Sequence, residues 1–393
     1  MKKWIWIVTP VVALVLGIMA LFAYLTPALP TPSGPYLVGY DRFAVEKGER
    51  WVDVQAFYPA AAKSNQQLEA MPSDLAEQLA LSFGAPHAAM IDEREIPAYI
   101  QAPIKPGSHP VLMFNHGHGM FATQNSHQVL ELVSHGYIVL ALNHPGHSLL
   151  SKNGNQIATR GVGIANYTSE EASTLLQRQV KGNDDLRAAT SRDEWMTVME
   201  GIQKDAFYDI VDQFPEWIAN NQLVLDALPD IQSGAIKSAL AANMDLNRIA
   251  YFGHSFGGAV ATHMGMQDSR VKAAYNMDGP VFTWSLTQNP SAQFCFAYAN
   301  ASNQENVALD FSWANQQIAK SVAGCETVFD GAAHMNFSDL NEMSFLRWLN
   351  LLGPIDGTKM RNNLNASLLS FFDQHLRNGA AMPKLDGTEM IQH

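Results

Sequence analysis

The sequence predicts an α/β protein built on a mostly parallel, doubly wound sheet with a helical cap insertion. Three observations carry that prediction. Short apolar runs recur along the chain and are continuous rather than alternating, as strands covered on both faces by helices require. Helix-like segments stand between them. One polar, helix-prone stretch from about 151 to 242 is too long for a simple crossover, so it is read as a crossover helix plus an inserted cap at approximately 151–234.

At the N-terminus, Lys2 and Lys3 precede an uncharged run, 4–25, interrupted only by Thr9, Pro10 and Gly17. As a helix rising about 1.5 Å per residue, it is long enough for the roughly 30 Å hydrocarbon core of a bilayer. Residues 1–25 are therefore read as a membrane anchor, with a signal peptide cleaved after Ala23 or Ala28 as the alternative. The lysines stay in the cytoplasm by the positive-inside rule, which places the body of the chain outside it. "TPALPTPSGP", 26–35, reads as a short extended tether, and 36–393 as one domain carrying the cap.

The strands follow. "WVDVQAFYP", 51–59, alternates like an antiparallel edge strand. The apolar runs at 110–115, 137–143, 248–252, 271–276, 293–299 and 326–331 read as buried strands. Segments 123–134, 258–267 and 338–352 read as helices. In the polar stretch, Ile202, Ala206, Ile210 and Phe214 show helical spacing.

Composition narrows the function. A chain of 393 residues, 47% hydrophobic and 16% charged, can bury a sizeable core. With a net charge of −12 and no basic run, it would repel a phosphate backbone, so no nucleic-acid partner is expected. The two cysteines, Cys295 and Cys325, fit either one disulfide or two buried thiols.

The chemistry starts at "RIAYFGHSFGGAV", 248–260, where Ser255 satisfies G-x-S-x-G between a predicted strand and a helix of small residues. A sharp strand-to-helix turn holds the serine in a strained conformation, and glycines on either side avoid backbone collisions. The following helix points its N–H groups at the charge that develops during attack. His254 is adjacent, but at the neck of the turn it points away and is read as packing. The base is His334 in "GAAHMNFSD", after the last predicted strand. Two aspartates could orient it: Asp278 in "YNMDGPVF", preferred because Gly279-Pro280 would fix a carboxylate at a strand end, and Asp310 in "NVALDFSW". Either gives the order Ser, Asp, His, which is that of α/β-hydrolases. The oxyanion donors are the backbone N–H groups of Phe256 and, in "FNHGHGM", of His118. His116, His118, His144 and His147 lack carboxylate company, so neither a metal nor any other cofactor is expected.

These residues resemble the plasma platelet-activating factor acetylhydrolases, of the lipoprotein-associated phospholipase A2 type, and their bacterial relatives. The likeness runs through "GPYLVGY", "APIKPGSHPVLMFNHGHGMF", "DLNRIAYFGHSFGGA", "MDG", "HMNFSD" and "IDGTKMRNNLNASLLSFFDQHL". It covers most of 34–377 and weakens through the cap. The resemblance implies an α/β-hydrolase fold and a calcium-independent serine hydrolase with nucleophile Ser255, acid Asp278 and base His334. The short interval from 255 to 278 looks like a trait of that family.

His118 stands where the family usually has a hydrophobic residue, which alters one wall of the acyl pocket. Sequons lie at Asn166, Asn300, Asn336 and Asn365, and a glycan on Asn336 would obstruct the site. That points to an unglycosylated bacterial envelope protein, its catalytic domain outside the cytoplasm or, after cleavage, secreted or periplasmic. The leading expectation is a serine ester hydrolase acting on short or modified acyl esters, plausibly of phospholipids, with the membrane met through the N-terminal segment. A general carboxylesterase or polyester hydrolase is the nearest alternative. A non-catalytic α/β-hydrolase scaffold is the alternative of another class.

Overall fold

The apolar runs of the sequence become the middle of one sheet. This computed structural model describes residues 30–83, 92–160, 290–300, 312–380 and 384–393, and residues 174–282 apart from 175–176, 179–180, 183, 187 and 206–210. In chain order the first strands are β1 (Leu37–Lys47), β2 (Arg50–Ala60), β3 (Gln67–Met71), β4 (Asp92–Ile100), β5 (His109–Asn115) and β6 (Ile138–Asn143). A small hairpin, β7 (Ser151–Asn153) and β8 (Gln156–Ala158), precedes β9 (Met244–His254) and β10 (Val271–Met277). The last are β11 (Gln293–Ala299), β12 (Cys325–Phe329) and β13 (Thr388–Gln392).

Eleven of these form one sheet in the order β13-β12-β11-β10-β9-β5-β6-β2-β1-β4-β3. The stretch from β12 to β6 is parallel throughout, and β2 and β13 join its two sides antiparallel. Both faces are covered, which is why the strands read as continuous apolar runs. Val111, Met113, Leu140 and Tyr251 face the core shared with helices Phe214–Ser233 and Phe256–Gln267. Leu112, Phe114, Val139 and Phe252 face the other core, shared with helices Ser126–Ser134 and Gly357–Arg377. Successive residues on a strand point to opposite faces, so each run feeds both cores.

The predicted crossover helix is Phe214–Ser233, entered through a proline in its first turn and closed by Gly234 at φ 81°. Trp217 buries completely in the core that this helix shares with Phe256–Gln267. Ile202 and Phe214 join that core from the predicted helical spacing, whereas Ala206 and Ile210 lie outside the described residues.

Three expectations are corrected. Segment 51–59 is no edge: β2 lies between β1 and β6, and its polar residues are buried with partners. Asp53 accepts from the Arg42 guanidinium at 2.8 Å, and Gln55 accepts from the Tyr40 hydroxyl at 3.1 Å. Alternation here reflects satisfied buried polar groups rather than a wet face. Segment 338–352 is not an α-helix but two 3₁₀ turns, Asp339–Glu342 and Ser344–Leu349. Asn side chains tie the segment to backbone just beyond it: Asn336 Oδ1 accepts from Gly353 N–H at 2.7 Å, and Asn341 Nδ2 donates to Gly357 O at 2.6 Å. Asn350 then ends the second turn at φ 55°.

The third correction concerns location. No helix among the described residues is long and apolar enough to cross a membrane, and the expected anchor, 4–25, lies outside them. The assignment to a membrane-anchored envelope protein is therefore withdrawn.

Cys295 and Cys325 form a disulfide, which decides between the two sequence alternatives. They are register partners on the parallel strands β11 and β12, with Cα atoms 4.4 Å apart. The loop closed by a separation of 30 residues should contribute about 3–4 kcal/mol by restricting the unfolded chain. Replacing both cysteines by alanine is expected to lower the denaturant midpoint accordingly, as read by urea titration. An unchanged midpoint would show that the bridge adds nothing to stability.

Candidate active site

β9 ends at His254, Ser255 follows at φ 56°, ψ −121°, and the helix Phe256–Gln267 starts at the next residue. A side chain at positive φ costs roughly 1–3 kcal/mol and persists only where its surroundings impose it. Here the surroundings do. Ser255 N–H donates to Met277 O at 2.9 Å, and Ser255 O accepts from Gly258 N–H at 2.8 Å. A Cβ on Gly253 would lie 2.2 Å from Gly257 O, and one on Gly257 would lie 2.0 Å from Asn115 O. Only hydrogen fits at either corner, so the glycine fence is a consequence of how tightly the turn is pressed onto β5.

Asp278 directly follows the neighbouring strand β10, also at positive φ, 53°. Its N–H donates to Ala297 O at 2.9 Å and its Oδ1 accepts from Ala299 N–H at 3.0 Å, both on β11. Its Oδ2 stands 2.7 Å from His334 Nδ1. The next residue, Gly279, lies against the serine: a Cβ there would be 2.1 Å from Ser255 O. His334 opens the 3₁₀ turn His334–Phe337 beyond β12, and its side chain is 28% exposed against 11% for the aspartate's. The carboxylate is thus covered while the imidazole remains reachable. Asn336 Oδ1, accepting from Ala333 N–H at 2.9 Å, buttresses this turn. Asp310, the other sequence candidate, lies outside the described residues.

The loop after β5 approaches the same corner. A Cβ on Gly117 would be 3.6 Å from Ser255 Cβ and 3.3 Å from His254 Nδ1. His118 follows, its ring edge-on to Phe256 at 5.6 Å and its Nε2 3.1 Å from Gln213 Oε1. Burial, and then the nearby Arg160 guanidinium, push the His118 pKa down to about 4. Gly119 sits at φ 69° beneath Arg160, whose guanidinium occupies the place of a Cβ. The Phe256 N–H, first in its helix, has no acceptor within that helix.

The remaining histidines have local partners. His116 Nε2 pairs with Ser148 Oγ at 2.6 Å, and burial pushes its pKa down to about 3. His144 Nε2 meets Asn115 Oδ1 at 3.1 Å, and its ring stacks on Trp217 at 3.8 Å. Among the described residues no three His, Cys, Asp or Glu side chains gather as a metal site. Asn336 is 2% exposed and its Nδ2 donates to Asn341 Oδ1 at 2.9 Å, so the folded chain offers no acceptor for a glycan there.

Sequence reasoning missed Gln124, Asn125 and Asp339. The Asp339 carboxylate accepts from Ser126 N–H at 2.7 Å, at the N-terminus of helix Ser126–Ser134, and Asn125 Nδ2 donates to Phe337 O at 2.6 Å. The available signal was the spacing H-x-N-F-x-D: Asn336 stiffens the turn, Phe337 buries, and Asp339 anchors it to the helix behind the 116–120 loop.

The known proteins to which this chain is similar are consistent in kind. The family whose model matches the chain, over residues 24–389, is described as platelet-activating factor acetylhydrolase, isoform II. The platelet-activating factor acetylhydrolase of Cavia porcellus is 24% identical over 374 residues, covering 88% of this chain and 78% of that protein. The one from Gallus gallus is 25% identical over 296 residues, covering 71% of this chain and 65% of that protein. Among solved structures, a ferulic acid esterase from Streptomyces cinnamoneus superposes with a TM-score of 0.57 at 19% identity, covering 93% of this chain and 98% of that one. At that identity the superposition establishes the α/β-hydrolase fold.

Proposed function

The chain belongs to the platelet-activating factor acetylhydrolase family, isoform II, and is an ester hydrolase; from that premise we propose a serine-dependent mechanism acting on short or modified acyl esters. The reading is carried by one observation: Asp278, 2.7 Å from His334, lies between Met277, whose carbonyl accepts from Ser255 N–H, and Gly279, which presses on Ser255 O, and that serine is held at φ 56° on a strand-to-helix corner. Ser255 Oγ attacks the ester carbonyl while His334 Nε2 accepts its proton. Asp278, bonded at Nδ1, holds the imidazole in the tautomer whose Nε2 lone pair is free. The tetrahedral oxyanion is met by the N–H groups of Phe256 and His118. Collapse breaks the ester C–O bond, and the imidazolium returns its proton to the departing alkoxide. Water, activated by the same His334, then cleaves the acyl-enzyme and restores the serine.

The substrate class we propose is a phospholipid with an acetyl or other short acyl group at its second position. Family membership supports it, as does the mostly polar hydrogen-bonding company of His118, which suits a small acyl group better than a long chain. Residues 36–393 act as the catalytic domain, its cap coming from the part of approximately 151–234 that precedes the crossover helix Phe214–Ser233. A rate series on glycerophospholipids and simple esters, from acetyl upward, tests this. The expected kcat/KM is highest for acetyl and falls with length, with the acetyl phospholipid ahead of p-nitrophenyl acetate. Equal rates on simple and phospholipid esters would instead indicate a general carboxylesterase without lipid preference.

A further inference from the structure

Three hydrogen bonds cross behind the nucleophile and run in one direction. Gly117 N–H donates to Gln124 Oε1 at 2.8 Å. Gln124 Nε2 meets His254 Nδ1 at 2.6 Å, and His254 Nε2 meets His334 O at 3.0 Å. The two ends fix every orientation between them. A backbone N–H can only donate, so Gln124 must present its oxygen to Gly117 and its NH₂ to His254. His254 must then accept at Nδ1 and carry its proton on Nε2, which suits the carbonyl of His334. No other amide orientation or tautomer satisfies all three bonds.

The chain of bonds starts one residue before His118, passes the neighbour of Ser255, and ends on His334 itself. Both intermediates are buried, Gln124 3% and His254 2% exposed. The His254 ring also lies 4.6 Å from the His334 ring. Burial, reinforced by His334, holds the His254 pKa well below the ordinary value, so the neutral form that the geometry requires is the one present.

We infer that Gln124 is a positioning residue, which through His254 keeps the 116–120 loop and the His334 turn in register with Ser255. The inference rests on the mechanism proposed above. The same two loops are tied independently by Asn125 Nδ2 to Phe337 O and by the Asp339 carboxylate to Ser126 N–H. Loss of Gln124 therefore shifts the reacting groups without releasing the loops. A misplacement approaching 1 Å costs roughly 100-fold in rate.

The test uses the full chain and p-nitrophenyl acetate, with Gln124→Leu, Gln124→Glu and Ser255→Ala measured together and folding followed by thermal unfolding. In the Leu variant kcat should fall roughly 10- to 100-fold while KM stays near that of the wild type. An unchanged kcat, or a change confined to KM, overturns the inference. The Glu variant keeps the acceptor for Gly117 but, when ionised, offers a neutral His254 Nδ1 no donor, so the carboxyl–imidazole pair must hold one further proton. The introduced carboxylate raises the His254 pKa, and activity is retained below that pKa and lost as pH rises through it. A new alkaline limb in the kcat profile is therefore expected, and it serves as the readout if the Leu variant does not fold. A profile of wild-type shape overturns the inference. Retained activity in Ser255→Ala would instead strike the serine mechanism, so the two failures are distinguishable.

Discussion

Ser255→Ala is expected to lower kcat for p-nitrophenyl acetate by something on the order of 10⁵- to 10⁶-fold, leaving only the contribution of oxyanion binding and orientation. Alanine retains the Cβ, and the bonds that impose φ 56° are made by backbone, from Ser255 N–H to Met277 O and from Gly258 N–H to Ser255 O. The variant should therefore fold with an unchanged thermal midpoint, so that the loss reads chemistry rather than stability. A fluorophosphonate should label the wild type once and the variant not at all. Activity within tenfold of the wild type would end the serine mechanism. Full loss of hydrolysis without change in fold would also dispose of the non-catalytic scaffold reading, since a scaffold has no rate to lose.

Asp278→Asn is the second large effect, a fall in kcat of roughly 10⁴-fold. The reason is a forced tautomer. In the native site the carboxylate accepts twice, from Ala299 N–H at 3.0 Å and at His334 Nδ1 at 2.7 Å. An asparagine has one acceptor oxygen, and the buried Ala299 N–H claims it. Its NH₂ then faces His334 Nδ1, which must become the acceptor, so the ring proton moves to Nε2. That nitrogen can no longer take a proton from the serine. Asp310→Asn, measured alongside, is expected to leave kcat near the wild-type value. An inactive Asp310 variant beside an active Asp278 variant would reverse the assignment.

The residues most legible in the sequence are those whose requirement is local. Gly253 and Gly257 announce the corner because no side chain fits within 2.2 Å of backbone oxygen, and that constraint acts over four positions of chain. The strands β5, β6 and β9 to β12 are legible because burial on both faces demands unbroken apolar runs. Asp278 is suggested by the Gly-Pro turn that follows it. His254 reads as packing from its place at the neck of the turn, and it is buried; its bond to the His334 carbonyl, 80 positions away, carries no local signal.

Other elements were hidden for a different reason. β1, β4 and β13 are stabilised by the strands they add to, and their own patterns are weak. Segment 338–352 has helical spacing, yet Asn336, Asn341 and Gly353 spend their hydrogen bonds across the loop, and propensity loses to that tertiary network. Nothing in the spacing of Cys295 and Cys325 says that they meet; the register of β11 on β12 does.

By itself, then, the sequence determined the fold class and the strand-to-helix corner with its serine, because both are written in short-range sterics and burial periodicity. Only the tertiary structure decided that Asp278 stands at 2.7 Å from His334, that the cysteines are bridged, and that Gln124 and His254 link Gly117 to the His334 carbonyl. Those are contacts between chain segments far apart in number. Their geometry exists only once the sheet has set the ends of β5, β9, β10 and β12 side by side.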